Sequence, residues 1–264
     1  MVAQGQTTSC WVDSVRFCLL FRVAQAELSS YTAVMLNTLS FPTDSQLYLG
    51  DCLDILQTLP DESVDCIISD PPYGINYRSR SHSLALTRIA NDGQEAYGLL
   101  DAALAIACKK LKPDRHVFIF TNFQAYEYMA PIVRKYFRQK GALVWIKNNG
   151  TRGDLKGSFS RWHEDIIHAC KGRAILQGKR ERDVLEFAKV PAHAMAHVTE
   201  KPVKLLEYLI SKSTLEGEVV LDPFMGSGST CVAAQNLGRR YIGIEMEPTW
   251  FAVAQARLAT KKSE

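Results

Sequence analysis

From residue 46 onward the chain alternates short β-rich runs with helical patterns, an order that few folds other than a layered α/β sheet accept. The candidate strands are 46–49, 64–69, 116–121, 143–147, 165–169, 218–221 and 240–244. Helical patterns fall at 53–59, 97–111, 125–139, 202–213, 230–237 and 250–260. In the second of these, Leu100, Leu104, Ala107 and Leu111 recur at helical spacing. The pattern predicts an α/β fold with a seven-stranded, mostly parallel sheet and helices on both faces. Ligands in such sheets bind beyond the carboxyl ends of the strands, so the turns that follow strands carry the chemistry.

Two such turns stand out. The apolar run Val64-Asp65-Cys66-Ile67-Ile68-Ser69 ends in Asp70-Pro71-Pro72-Tyr73. That turn sets a carboxylate, a fixed carbonyl and an aromatic face at the end of a buried strand, with φ locked by two prolines. The other is Val219-Val220-Leu221-Asp222-Pro223-Phe224-Met225-Gly226-Ser227-Gly228-Ser229-Thr230, an apolar strand running into a glycine turn and a helix. The dinucleotide pattern Gly-x-Gly-x-x-Gly fails at Cys231, and there is no Gly-x-x-x-x-Gly-Lys phosphate loop. The next strand ends in Glu245, a carboxylate able to accept both hydroxyls of a ribose. A nucleoside without a phosphate requirement fits this set, and S-adenosylmethionine is such a nucleoside.

Composition narrows the remaining classes. The 264 residues suffice for one large domain, and 47% apolar content is ordinary for a soluble protein. A formal net charge of +3 permits a nucleic-acid partner without arguing for one. Seven cysteines with no Cys-x-x-Cys pair favour a reducing, cytoplasmic setting. The apolar stretch at 15–28 is broken by Arg16 and Arg22 and is too short to span a bilayer. Residues 1–34 look unlike the rest. They read either as a capping helix or as upstream sequence from an early start codon. The boundaries expected are an N-terminal extension over 1–40 and one domain over 41–264. His193 and His197 have helical i, i+4 spacing but no third ligand is evident, so no metal is expected. His163 and Glu164 read equally well as a packed pair on a buried strand or as site residues.

The chain resembles the DNA amino-methyltransferases, in particular their β class, in which the catalytic turn precedes the cofactor turn. Besides the two turns, Leu49-Gly50-Asp51-Cys52, Leu143-Val144-Trp145-Ile146-Lys147, Trp162-His163-Glu164-Asp165-Ile166-Ile167 and His197-Val198-Thr199-Glu200-Lys201-Pro202 are similar to family segments in the family's order. The likeness spans roughly 46–260. It implies a permuted, Rossmann-like S-adenosylmethionine-dependent methyltransferase fold and S-adenosylmethionine as cofactor. By resemblance, Asp51 and Cys52 contact the cofactor's adenine, and Thr199 and Lys201, in the segment opened by His197, hold its methionine carboxylate. Asp222 lies near its amino group, Phe224, Gly226, Ser227 and Gly228 form its turn, Glu245 takes its ribose, and Asp70 borders it. Asp70, Pro71, Pro72 and Tyr73 are the catalytic set. Asp70 accepts one N–H of an exocyclic amine, the Pro71 carbonyl accepts the other, and Tyr73 stacks on a base flipped out of the helix.

In the family, Asp at the first position of the turn goes mainly with adenine and Ser with cytosine, so the resemblance implies transfer to adenine N6. N4 of cytosine, RNA methylation and an inactive DNA-binding module are the alternatives. Double-stranded DNA is the expected partner. Arg78, Arg80 and Arg88, beside the catalytic turn, form one expected DNA contact, and Lys171, Arg173, Lys179, Arg180 and Arg182 form a second. The stretch 171–197 is short for a target-recognition region, which suggests a short recognition site or relaxed specificity. The resemblance also implies a homodimer and, in a restriction–modification pair, a cognate restriction endonuclease.

Overall fold

The structure is a computed structural model, and it describes residues 44–74, 92–150, 156–191 and 200–259. Expectations for the N-terminal extension, and for His193, His197, Thr199, Arg78, Arg80 and Arg88, lie outside the described residues.

Among the described residues eight strands form one sheet: β1 (Gln46–Leu49), β2 (Val64–Ser69), β3 (Leu111–Thr121), β4 (Arg138–Ile146), β5 (His163–Lys171), β6 (Val184–Glu186), β7 (Val219–Asp222) and β8 (Arg240–Glu245). The helices are α1 (Cys52–Thr58), α2 (Glu95–Lys110), α3 (Phe123–Tyr136), α4 (Val203–Ser213), α5 (Ser229–Asn236) and α6 (Pro248–Ala259). Strand order is β1-β8-β7-β2-β3-β5-β4-β6. Neighbours pair in parallel except at β5, which is antiparallel to both β3 and β4.

Strand count is one correction to the sequence reading. β6 has three residues and pairs with Val144–Ile146 at the sheet edge. It lies inside the stretch read as a recognition segment, and it is too short to show alternation in sequence.

Alternate side chains along each strand enter opposite cores. Ile67, Val117, Ile119, Val219, Leu221, Ile242 and Ile244 pack with α1, α2 and α3. Cys66, Ile68, Phe118, Phe120, Val220 and Tyr241 pack with α4, α5 and α6. Helices therefore cover both faces, which is why the central strands read as near-continuous apolar runs. After β2 the chain winds toward β3, and after β7 toward β8, so winding reverses between β2 and β7. This is the switch point at which a crevice opens beyond the strand ends. Both turns singled out in the sequence, at Asp70 and Asp222, follow those two strands.

Candidate active site

The Asp70–Tyr73 turn, expected to be catalytic, is braced from α2 and from the segment before it. Gly74 N–H donates to Asp92 Oδ1 at 2.8 Å, and the Tyr97 hydroxyl donates to the Tyr73 carbonyl at 3.0 Å. Asp92 is buried, although neither its place nor Tyr97's stands out in the sequence. Pro71 is buried, while Asp70, Pro72 and Tyr73 are partly so. The Tyr73 hydroxyl donates to Asp70 Oδ1 at 2.6 Å, and Lys201 Nζ donates to Asp70 Oδ2 at 2.5 Å. Burial holds the Asp70 carboxyl above its ordinary range, with Lys201 and Tyr73 pulling the other way. For Lys201, burial opposes the charge but Asp70 and Glu164 outweigh it and keep it an ammonium.

A second ion pair continues the line. Lys147 Nζ lies 2.5 Å from Glu164 Oε1, and Lys201 Nζ lies 3.5 Å from Glu164 Oε2. Burial opposes ionisation of Glu164, but the two ammonium groups win and its carboxyl sits below the usual value. His163 and Glu164 part company: His163 is exposed, and Glu164 joins the Asp70–Tyr73 turn through Lys201. Charged residues within the apolar runs 143–147 and 163–167 were the available signal, since burying a charge is costly unless it is paired. Lys201, expected at the cofactor's carboxylate, is placed on Asp70 and Glu164.

The other turn is built against β8. Met225 N–H donates to the Ile244 carbonyl at 3.0 Å, and Gly226 N–H donates to Glu245 Oε2 at 3.0 Å. Gly243 has no side chain where the turn crosses it, because a Cβ there would stand 2.4 Å from Met225 Sδ. Gly228 has φ +78°, and a Cβ on it would meet the Ala254 Cβ at 2.9 Å, so glycine is required for both backbone and space. Arg257 of α6 clasps the same turn, donating to the Ser227 carbonyl at 2.8 Å and to Glu200 Oε1 at 2.7 Å. Gly50 N–H donates to the Glu245 carbonyl at 2.9 Å, which brings Asp51 and Cys52 beside Glu245. Asp51 caps α1 by accepting from Leu53 N–H at 2.8 Å. Burial pushes Asp222 up to about 7, and the Thr230 hydroxyl and Phe224 amide pull against it.

One crevice thus holds three carboxylates, at Asp51, Asp222 and Glu245, around a glycine turn. Glu245 Oε1 accepts from the Glu247 N–H at 2.8 Å and Oε2 from the Gly226 N–H at 3.0 Å, the Met246 N–H also supports the carboxylate, and lone-pair capacity is left for a hydroxyl. A buried Asp222 with a raised pKa suits a cationic amine. A ribose and an ammonium on one ligand match this set of acceptors, as S-adenosylmethionine requires.

The second basic region falls elsewhere. Because β5 is antiparallel, Asp165 pairs with Thr121 at the end of β3 that leads toward the Asp70 turn, and Lys171 pairs with Arg115 in its opposite half. Six residues of strand put Lys171 roughly 20 Å from the catalytic end. Its ammonium donates to the Cys108 and Leu111 carbonyls at 3.0 and 2.7 Å. Lys212, in the last turn of α4, donates to the Lys179 carbonyl at 3.4 Å and to Glu181 at 3.2 Å, which holds Lys179, Arg180 and Arg182 at the far end too. The structure does not bring this region and the catalytic turn together.

A DNA methylase family model, N6_N4_Mtase, matches residues 64–256. The chain belongs to this family. The methylase is 36% identical over 216 residues to the putative methylase YubD of Escherichia coli strain K12, covering 81% of this chain and 90% of that protein. It is 30% identical over 234 residues to the type II methyltransferase M2.DpnII of Streptococcus pneumoniae, covering 79% and 87% respectively. Among solved structures, the M1.HpyAVI–SAM complex matches with TM-score 0.64 and 28% identity over 81% of the methylase and 98% of that chain. The PvuII DNA methyltransferase, cytosine-N4-specific, shares the fold at TM-score 0.69 and 18% identity, over 84% and 88%. The methylase uses S-adenosylmethionine to methylate DNA. No described helix is long and apolar enough to cross a membrane.

Proposed function

We propose that the methylase transfers a methyl group to the exocyclic N6 of a flipped adenine in double-stranded DNA, at a short or loosely defined site. The observation that carries this is Asp70 at the head of the Asp70-Pro71-Pro72-Tyr73 turn, at the sheet's switch point and beside Asp222. An aromatic amine is a poor nucleophile because its lone pair is delocalised into the ring. Asp70 and the Pro71 carbonyl accept its two N–H groups, which localises the lone pair out of the ring plane. Two prolines and the braces from Asp92 and Tyr97 fix the backbone that carries these acceptors before the base arrives. When bound, S-adenosylmethionine supplies an electrophilic sulfonium methyl. Tyr73 stacking on the base contributes about 1–3 kcal/mol.

DNA is approached from the catalytic edge. There the β4–β5 connection carries Lys156 and Arg161, and Phe123 and Trp162 are 75% and 51% exposed. Arg161 reaches Gln124 Oε1 at 3.4 Å, linking that connection to the start of α3. Aromatic faces beside basic groups are what an opened duplex needs from its binding surface. Nucleoside analysis of a duplex reacted with the purified protein should show N6-methyladenine, and sequencing should map it to short or varied sites. N4-methylcytosine alone would refute the adenine reading, and a long, strictly defined motif would refute the site reading.

A further inference from the structure

Lys147, Glu164, Lys201 and Asp70 form a line of two ammonium groups and two carboxylates whose formal charges cancel. The two ends of the line are tight, at 2.5 Å each, and the middle is not. Glu164 Oε2 lies 3.5 Å from Lys201 Nζ, an ion-pair separation, yet this buried oxygen has no hydrogen-bond partner. An unfilled buried acceptor is destabilising, because it has lost its water without gaining a partner. Such atoms are rare in folded proteins and call for an explanation. The Lys201 ammonium, which lies at ion-pair distance from Glu164 Oε2, is held 2.5 Å from Asp70 instead.

Asp70 shows the complementary problem. Its Oδ1 accepts from Tyr73 and its Oδ2 accepts from Lys201. A target amine must compete with a cation for Oδ2, and a carboxylate neutralised by that cation polarises an N–H weakly. The ammonium has few places to go. The ring centroids of Phe120 and Tyr73 lie 5.2 and 5.7 Å from it, and Lys201 is buried. These rings tolerate a cation on their faces and leave it a short path between two carboxylates.

We propose that Lys201 is a two-position cation. In the empty site it neutralises Asp70. When the target amine donates to Asp70, the ammonium passes to Glu164 Oε2. Glu164, held by Lys147, is the positioning residue that makes the transfer of charge possible. No covalent bond breaks and no proton changes owner, and the group of four stays neutral in both positions. The inference rests on the reading that the base amine enters at Asp70.

The test uses the full chain, labelled S-adenosylmethionine and a DNA duplex. If the unaltered protein transfers no methyl group to DNA, the functional reading itself fails. If it does, Glu164→Gln keeps the shape but removes the anionic acceptor, and kcat should fall about 10- to 100-fold. The KM for DNA and the cofactor Kd measured by calorimetry should change by less than about threefold. Glu164→Asp, which keeps the charge, should recover part of the loss. An unchanged kcat in Glu164→Gln overturns the proposal. So does a parallel loss of cofactor binding, which marks a scaffold residue, and so does Glu164→Asp performing no better than Glu164→Gln.

Discussion

Asp70 and Asp222 follow adjacent strands, and burial acts on both, but their partners differ. Asp70 faces an ammonium at 2.5 Å. Asp222 is served by neutral donors, the Thr230 hydroxyl and the Phe224 amide, and rises to about 7. An ionised Asp222 is what a cationic amine of the cofactor would pair with. Below about pH 7 the free protein holds this carboxyl protonated, and binding must expel the proton. Cofactor affinity should therefore strengthen as pH rises from 6 to 8. Below the Asp222 pKa the dependence approaches about tenfold in Kd per unit of pH. Calorimetry across that range should show the slope, and Asp222→Asn should flatten it while weakening binding. The same shift makes Asp222 a cost to folding as pH rises. Its folded pKa lies above the unfolded value, so the stability it contributes is present below about pH 4 and is lost as pH rises through about 7.

Elements meet at the glycine turn in a way that distributes its rigidity over distant parts of the chain. β7 delivers the turn, β8 anchors it through the Ile244 carbonyl and Glu245, and α6 closes over it. Arg257 is the link from α6, with hydrogen bonds to the Ser227 carbonyl at 2.8 Å, Ser227 Oγ at 2.9 Å and Ser229 Oγ at 3.1 Å. Its other terminal nitrogen reaches Glu200, next to Lys201. One side chain thus couples the cofactor turn to the lysine that faces Asp70. Hydrogen bonds from a charged group contribute about 1.5–3 kcal/mol each when buried, less where water competes. Arg257→Ala should weaken cofactor binding by about tenfold or more, read as Kd by calorimetry. Unchanged Kd would mean that the turn is rigid without its clasp.

At the scale of the whole molecule, the sheet has a working end and a far end. The strand ends carrying Asp70, Asp222 and Glu245 define the first, and Lys171 with Arg173, Lys179, Arg180 and Arg182 lies at the second. Replacing Arg173, Arg180 and Arg182 together by Ala should leave the salt dependence of DNA binding unchanged. Arg161→Ala should lower its slope by about 1 on a log–log plot, as loss of one phosphate contact does. Equal effects from both sets would mean that DNA wraps the far end as well.

Local chemistry made much of this protein legible in one dimension. The periodicities of 2 and 3.6, the prolines after Asp70 and the glycines at 226 and 228 act over a few residues, so most elements and both turns could be read from the residues in order. The sequence could not show the short edge strand at 184–186, whose three residues carry no period. Nor could it show which end of the sheet a basic run reaches, because that follows from the reversed direction of β5. The placement of Lys147, Glu164 and Lys201 around Asp70 was likewise decided by tertiary structure alone. Those residues are separated by up to 131 positions along the chain. Their charges can be buried only because the fold brings them within ion-pair distance of one another.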